Sequence, residues 1–266
     1  MTSQHIYGIH VRRICPGAGL GRPETTIRRK RNGKMNSQTN RAYSVIRTEK
    51  KYELPLQQAA LIADRLARIM QADIHSGVGG YAVRSLYFDS IYDDDLMDKL
   101  NGLEKRKKVR LRIYRPEQER VKLELKQKQG SAQRKDTLEI SREAALALIA
   151  GDFDPLRELE DPLAAELYAL MHAGVYRPKC IIEYSRRAFA APTNDTRITI
   201  DSDVRVSRDF DQFFRASPSY SPILKHPVLE VKYNRFLLDT FKFAVDLAGI
   251  PEMSCSKYEL SRSRIG

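Results

Sequence analysis

The 266 residues carry 46 Lys and Arg against 34 Asp and Glu, a formal net charge of +12. A chain of this size suits one large domain or two small ones, and its basic balance points to a polyanionic partner. No run of about 18 apolar residues argues for a helical membrane span, the basic N-terminus lacks the apolar core of a secretory signal, and Cys15, Cys180 and Cys255 show neither zinc nor disulfide spacing.

The charge is unevenly placed. Residues 1–41 hold nine Lys/Arg and one Glu, a net of +8, so the rest of the chain is only mildly basic. Residues 1–42 lack periodicity and are expected to form a basic disordered tail, solvated or acting as a tether. From Tyr43 the pattern becomes regular. Tyr43–Leu54 predicts a strand, and Pro55 opens a helix to about Ala72 with Ala59, Ile62, Ala63, Leu66, Ile69 and Met70 on one face. A glycine turn at 77–80 leads to a strand at Val83–Phe88 and a short acidic helix near Asp93–Leu100. Two strands follow at Lys105–Tyr114 and Arg120–Gln129, then helices at Arg142–Ala150 and Leu163–Ala173. Strands are expected at Lys179–Phe189, Arg197–Asp201 and Val228–Tyr233, then a helix at Leu237–Ala248 that stops at Gly249 and Pro251. The closing segment, Cys255–Leu260, reads with the strands. The fold class is α+β, and closing the sheet into a barrel would hide its edges.

Two strands carry the chemistry. Successive strand side chains point to opposite faces. Arg106, Lys108, Arg110 and Arg112 therefore share one face, and Val109, Leu111 and Ile113 the other. Lys122, Glu124, Lys126 and Lys128 repeat the pattern against Val121, Leu123 and Leu125. An antiparallel sheet ordinarily turns a polar side to water, but directly facing like charges destabilise a sheet unless an anion offsets them. Arginine grips phosphate oxygens with a planar fork, and lysine supplies a compact charge. Carboxylates among these cations, such as Glu49 and Glu230, either hold a divalent metal or orient the cations as ion-pair partners. None of the five histidines lies in a catalytic motif. The near-balance of the body and the lack of interleaved aromatics argue against a nucleic-acid partner.

Eight segments in order are Arg47-Thr-Glu-Lys-Lys-Tyr52, Ser85-Leu-Tyr-Phe-Asp89, Arg106-Lys-Lys-Val-Arg-Leu-Arg112, Leu123-Glu-Leu-Lys126, Tyr184-Ser-Arg-Arg-Ala-Phe189, Arg197-Ile-Thr-Ile-Asp201, Val228-Leu-Glu-Val-Lys-Tyr233 and Ser256-Lys-Tyr258. Together they resemble the vacuolar transporter chaperone (VTC) domain, a polyphosphate polymerase domain of the triphosphate tunnel metalloenzyme superfamily. The resemblance implies an eight-stranded antiparallel β-barrel over 43–266, with helices inserted between strands and packed outside. It implies transfer of the γ-phosphoryl group of ATP to a growing polyphosphate chain, with Mn²⁺ or Mg²⁺. The implied phosphate grips are Lys51, Arg110, Arg112, Lys126, Arg186, Arg197 and Lys257, and Glu230 is the implied metal ligand. Glu49, Lys108, Glu124, Lys128, Lys135 and Lys232 would support them. Arg134 competes with Lys135, and Arg187 with Arg186, for the matching positions. Ser85, Tyr87 and Asp89 serve either packing or binding. A tunnel-type tripolyphosphatase and a non-enzymatic polyphosphate-binding module are the alternatives. Eukaryotic members add a sensing domain and membrane helices that this sequence lacks. A cytoplasmic protein, or one peripheral at the inner face of a membrane, is expected, releasing its product or passing it to a separate membrane partner.

Overall fold

The computed structural model describes residues 47–73, 79–130, 132–254 and 256–265. The tail expected over 1–42 lies outside the described residues, as do positions 43–46 of the first strand and the beginning of the glycine turn. In chain order the elements are β1 (Arg47–Glu53), α1 (Leu56–Ile69), β2 (Gln71–Ala72), β3 (Tyr81–Asp89), α2 (Asp94–Leu100), β4 (Lys105–Ile113), β5 (Arg120–Gln129), β6 (Ala132–Ser141), α3 (Arg142–Ala150) and α4 (Pro162–Ala173). Then come β7 (Arg177–Ala191), β8 (Thr196–Ser207), β9 (Ser221–Pro222), β10 (Val228–Asn234), α5 (Asp239–Val245) and α6 (Lys257–Ile265). No helix among the described residues is long and apolar enough to cross a membrane.

One antiparallel sheet runs β1-β10-β8-β7-β3-β4-β5-β6, with β2 beside β7 and β9 beside β8. The eight-stranded path matches the expected strand number, but the strands are not all the expected ones. β6 replaces the C-terminal segment, which is helical. The expected barrel is corrected too: among the described residues no backbone pairing joins β6 to β1. β1 instead takes a hydrogen bond from Met253, whose N–H donates to the Lys51 carbonyl at 2.8 Å. The sheet nevertheless curls. Lys126 on β5 and Glu49 on β1 are far apart in strand order, yet their charged groups approach to 4.0 Å. The result is a trough.

Alternation along the strands decides which side chains face outward. Val109, Leu111, Ile113, Val121, Leu123 and Leu125 are fully buried on the convex side beneath Ala145 and Leu148 of α3 and Ala164, Leu167 and Met171 of α4. Ile198, Ile200, Leu229 and Val231 pack against Ile62 and Leu66 of α1 and Phe241 of α5. Each fully buried aliphatic side chain contributes roughly 1.5–3 kcal/mol, so these outer layers fix which face of every strand turns inward. α3 starts at Ser141, whose hydroxyl accepts from the Ala144 N–H, and α4 at Asp161 with Pro162 following.

A third cluster lines the trough side of β3, β7 and β8: Val83, Tyr87, Cys180, Ile182, Tyr184, Val204 and Val206. α6 covers it. Tyr258 stacks on Tyr87 with ring centroids 5.2 Å apart, and its hydroxyl donates to the buried Asp89 carboxylate at 2.7 Å. Arg262 donates to both carboxylate oxygens of Asp93 at 2.7 and 2.8 Å. Asp89 also accepts from the N–H groups of Asp95 and Leu96. It therefore joins the start of α2 to α6.

Candidate phosphate-binding site

The strand registers bring most of the expected residues onto the trough face. Lys51 on β1 stands opposite Glu230 on β10, Glu49 opposite Lys232, and Glu230 opposite Thr199 on β8. On the other wall Arg110 faces Glu124, Lys108 faces Lys126, and Lys126 faces Lys135. Between the walls Arg186 on β7 stands opposite Asp201 on β8.

Three carboxylate centres organise these cations. Glu124 is 1% exposed and receives Arg110 Nε at 2.6 Å and Lys135 Nζ at 2.6 Å, with Arg112 Nη1 at 3.8 Å. Burial would raise its pKa, but Arg110, Arg112 and Lys135 prevail and hold it at about 2. Asp201 is fully buried and accepts from Arg186 Nε and Nη2, one edge of the guanidinium, at 2.6 and 2.8 Å, while Lys257 Nζ donates to it at 2.7 Å. Burial again opposes its ionisation, and Lys257 and Arg186 again overcome it. The third centre is Glu49 with Glu230. Lys51 lies 2.9 Å from Glu49 and 3.7 Å from Glu230, and Lys232 lies 3.5 and 3.2 Å from the same pair. Although burial would raise the Glu49 carboxyl, its hydrogen bond with Glu230 and the nearby Lys232, Lys51 and Lys126 hold it well below the usual range.

Aromatic rings steer the same cations. Arg110 donates to the Tyr87 hydroxyl at 2.9 Å, and Arg112 to the Ser85 hydroxyl at 3.1 Å. Burial would raise the Tyr87 phenol, but Arg110, Arg112 and Lys108 lower it. Arg186 and Lys257 lie 5.1 and 4.9 Å from the centre of the Tyr184 ring, within reach of its π face. The sequence identified none of Ser85, Tyr87 and Tyr184 as an orienting group.

The competing positions separate by face. Lys135 reaches Glu124, whereas Arg134 pairs with Asp136 and Glu166. Arg186 enters the trough, whereas Arg187 turns to Asp64 on α1. A Cβ at Gly80, whose φ is +86°, would lie 2.5 Å from the Arg186 carbonyl oxygen, so glycine lets this backbone approach Arg186 closely. Arg197 lies at the rim and donates to Asp73 at 2.8 Å. Lys257 enters from the first turn of α6 and not from a strand. Lys108 is near the edge of the cluster and donates to the Ser256 hydroxyl at 2.9 Å. Lys128 lies one alternation beyond Lys126, next to Arg106.

A family model described as the VTC domain matches residues 46–264. No curated protein sequence matches the chain. Among solved structures, a candidate adenylate cyclase from Bacillus halodurans is 12% identical, with a TM-score of 0.47 over 78% of this chain and 92% of that one. A candidate adenylate cyclase from Vibrio parahaemolyticus is 12% identical, with a TM-score of 0.45 over 82% and 98%. The PH1819 protein from Pyrococcus horikoshii is 12% identical, with a TM-score of 0.41 over 82% and 99%.

Proposed function

Because the chain belongs to the VTC domain family, we propose that its trough binds ATP and polyphosphate and transfers the γ-phosphoryl group of ATP to the end of the polyphosphate chain. The observation that carries this reading is the convergence of Lys51, Arg110, Arg112, Lys126, Arg186 and Lys257 on one inward face. Each is oriented by a carboxylate, a hydroxyl or a ring. Phosphoryl transfer needs positioning and charge neutralisation more than a protein nucleophile. A terminal polyphosphate oxygen attacks the γ-phosphorus, the bond to the bridging oxygen of the β-phosphate breaks, ADP leaves, and the chain is one phosphate longer. Arg110 and Arg112 grip phosphate oxygens from one wall and Lys51 from the other. Asp201 keeps Arg186 and Lys257 extended toward the floor between them.

The donor set fits Mn²⁺ or Mg²⁺. Hard cations of this kind take one or two carboxylates and complete their shell with water and substrate phosphates. Among the described residues no group of three His, Cys, Asp or Glu could hold a metal by itself, so phosphate oxygens would supply the remainder. Opposite Glu230 the Thr199 hydroxyl is buried without a hydrogen-bond partner among the described residues, a polar atom suited to a ligand or its water. Glu230 would be the ligand, with Glu49 holding Lys51 and Lys232 at its side. When bound, the cation neutralises charge that builds on the transferring phosphates.

The test is to incubate the pure protein with ATP and Mn²⁺ or Mg²⁺ and resolve the products on a gel. A polyphosphate ladder with matching ADP is expected. Orthophosphate alone would replace this reading with a hydrolase. Tight binding without turnover under either metal would replace it with a binding module.

The reading also predicts a pH dependence. Burial lowers the Lys126 ammonium, Glu49 only partly restores it, and Lys232, Lys51 and Arg110 lower it further, to about 8. A bound phosphate raises it again by favouring the charged form. Binding should therefore take up a proton above pH 8, and tripolyphosphate affinity should fall as pH rises through that value, by at most about tenfold per unit. Calorimetry in buffers of different ionisation heat measures the proton uptake. Lys126→Arg should remove this component, and a variant that keeps it would refute the assignment.

A further inference from the structure

Two cations on the trough face are not explained by the central cluster. Arg106 and Lys128 stand directly opposite each other at the start of β4 and the end of β5. Both are half-buried, and neither has a carboxylate or other polar partner among the described residues. Cross-strand like charges destabilise a sheet, and the other cations nearby are relieved: Lys126 by Glu49, Lys135 and Arg110 by Glu124.

The pair continues a series. Moving outward along the two strands, the facing positions are Arg112 with Lys122, Arg110 with Glu124, Lys108 with Lys126, and Arg106 with Lys128. Each rung advances about 6.7 Å, so the outermost lies roughly 13 Å beyond the Arg110–Glu124 rung. The two ends of the hairpin also differ in charge. Residues 105–108 are Lys-Arg-Lys-Lys, whereas residues 115–120 hold two Arg and two Glu. α6 covers the β3 and β7 side through Tyr258, and Arg106 and Lys128 remain half-exposed on the β4 and β5 side.

From this we infer that Arg106 and Lys128 form an outer subsite for inorganic polyphosphate, engaged by chains longer than the inner cluster holds, and that the chain leaves the trough at this end. The inference rests on the phosphate-binding reading above. A triphosphate is satisfied by the inner rungs, whereas a long chain extends to the outer one, so the pair sets a preference for chain length.

The test is calorimetric titration of the full chain with inorganic tripolyphosphate and, separately, with long-chain inorganic polyphosphate. The Arg106→Gln/Lys128→Gln variant should weaken long-chain binding by about tenfold and tripolyphosphate binding by no more than about threefold. Its melting temperature without ligand should not fall, because a repulsive pair has been removed. Lys122→Gln, at the other end of β5, is the directional control and should not reproduce the selective loss. Equal losses for both ligands, no loss for either, or the same selectivity from Lys122→Gln would overturn the outer subsite while leaving the inner one standing. A wild-type protein that binds neither ligand would overturn both.

Discussion

Replacing Arg110 and Arg112 together with alanine is expected to weaken tripolyphosphate binding about a thousandfold and to abolish any polyphosphate synthesis. Each guanidinium makes charge-assisted contacts worth roughly 1.5–3 kcal/mol, and the two stand at successive inward positions of β4. The fold should survive, because the carboxylate they share is not left alone: Glu124 keeps Lys135 at 2.6 Å. Their convex-side neighbours Val109, Leu111 and Ile113 are untouched in the core. Calorimetry and a polyphosphate gel measure the effect, and an unchanged melting temperature excludes unfolding. Turnover retained in the double variant would remove these two residues from the phosphate site.

The same two strands show why much of the site was legible. A period of two, with aliphatics against charges, states both the element and the face. That rule placed Arg110, Arg112, Glu124 and Lys126 together before any pairing was known. It did not find β6. Ala132–Ser141 carries charge or polarity on both sides for most of its length, and only Leu138 and Ile140 are buried. This is the pattern of an edge strand whose charges oppose further pairing. β8 was cut short for a different reason. Its alternation is interrupted at Asp203, which has a positive φ of 54°, beside a shift of register between Glu183 and Ser185. Beyond this irregularity β8 continues to Ser207.

The C-terminal segment is helical, and it carries a local helix signal. Ser256 and Glu259 have the spacing of a capping box, and the Glu259 N–H donates to the Ser256 hydroxyl at 3.4 Å while the Leu260 N–H donates to the Ser256 carbonyl at 3.0 Å. Family likeness marks Lys257 as a phosphate grip, whereas the local pattern marks the start of a helix. The consequence is mechanical. Lys257 reaches Asp201 from an element held by Tyr258 and Arg262, so its position depends on docking of α6. Strand alternation places Asp201 on one face with Arg197 and Thr199. Its two cationic partners emerged only from the β7–β8 register and the path of α6.

Asp201→Asn should therefore have a large effect on stability with an unusual rescue. The carboxylate is fully buried and neutralises Arg186 and Lys257 together. Removing one side of a buried pair costs about 3–5 kcal/mol because the remaining charge is left uncompensated, which for a domain of this size lowers the melting temperature by roughly 10 °C. Glu230, 4.0 Å from Arg186, offsets only part of this. The wild-type contribution has a definite sign with pH. A carboxylate held below its unfolded value stabilises the fold fully above about pH 4 and loses that contribution as pH falls through the folded value. The asparagine variant should lack this loss, so the two stability curves converge in acid. At neutral pH the freed Arg186 and Lys257 present two uncompensated cations to the trough. Tripolyphosphate should then raise the melting temperature of the variant more than that of the wild type, since the anion takes over part of the role of the missing carboxylate. Equal shifts in the two proteins would mean that Arg186 and Lys257 serve the fold alone and do not face the phosphate site.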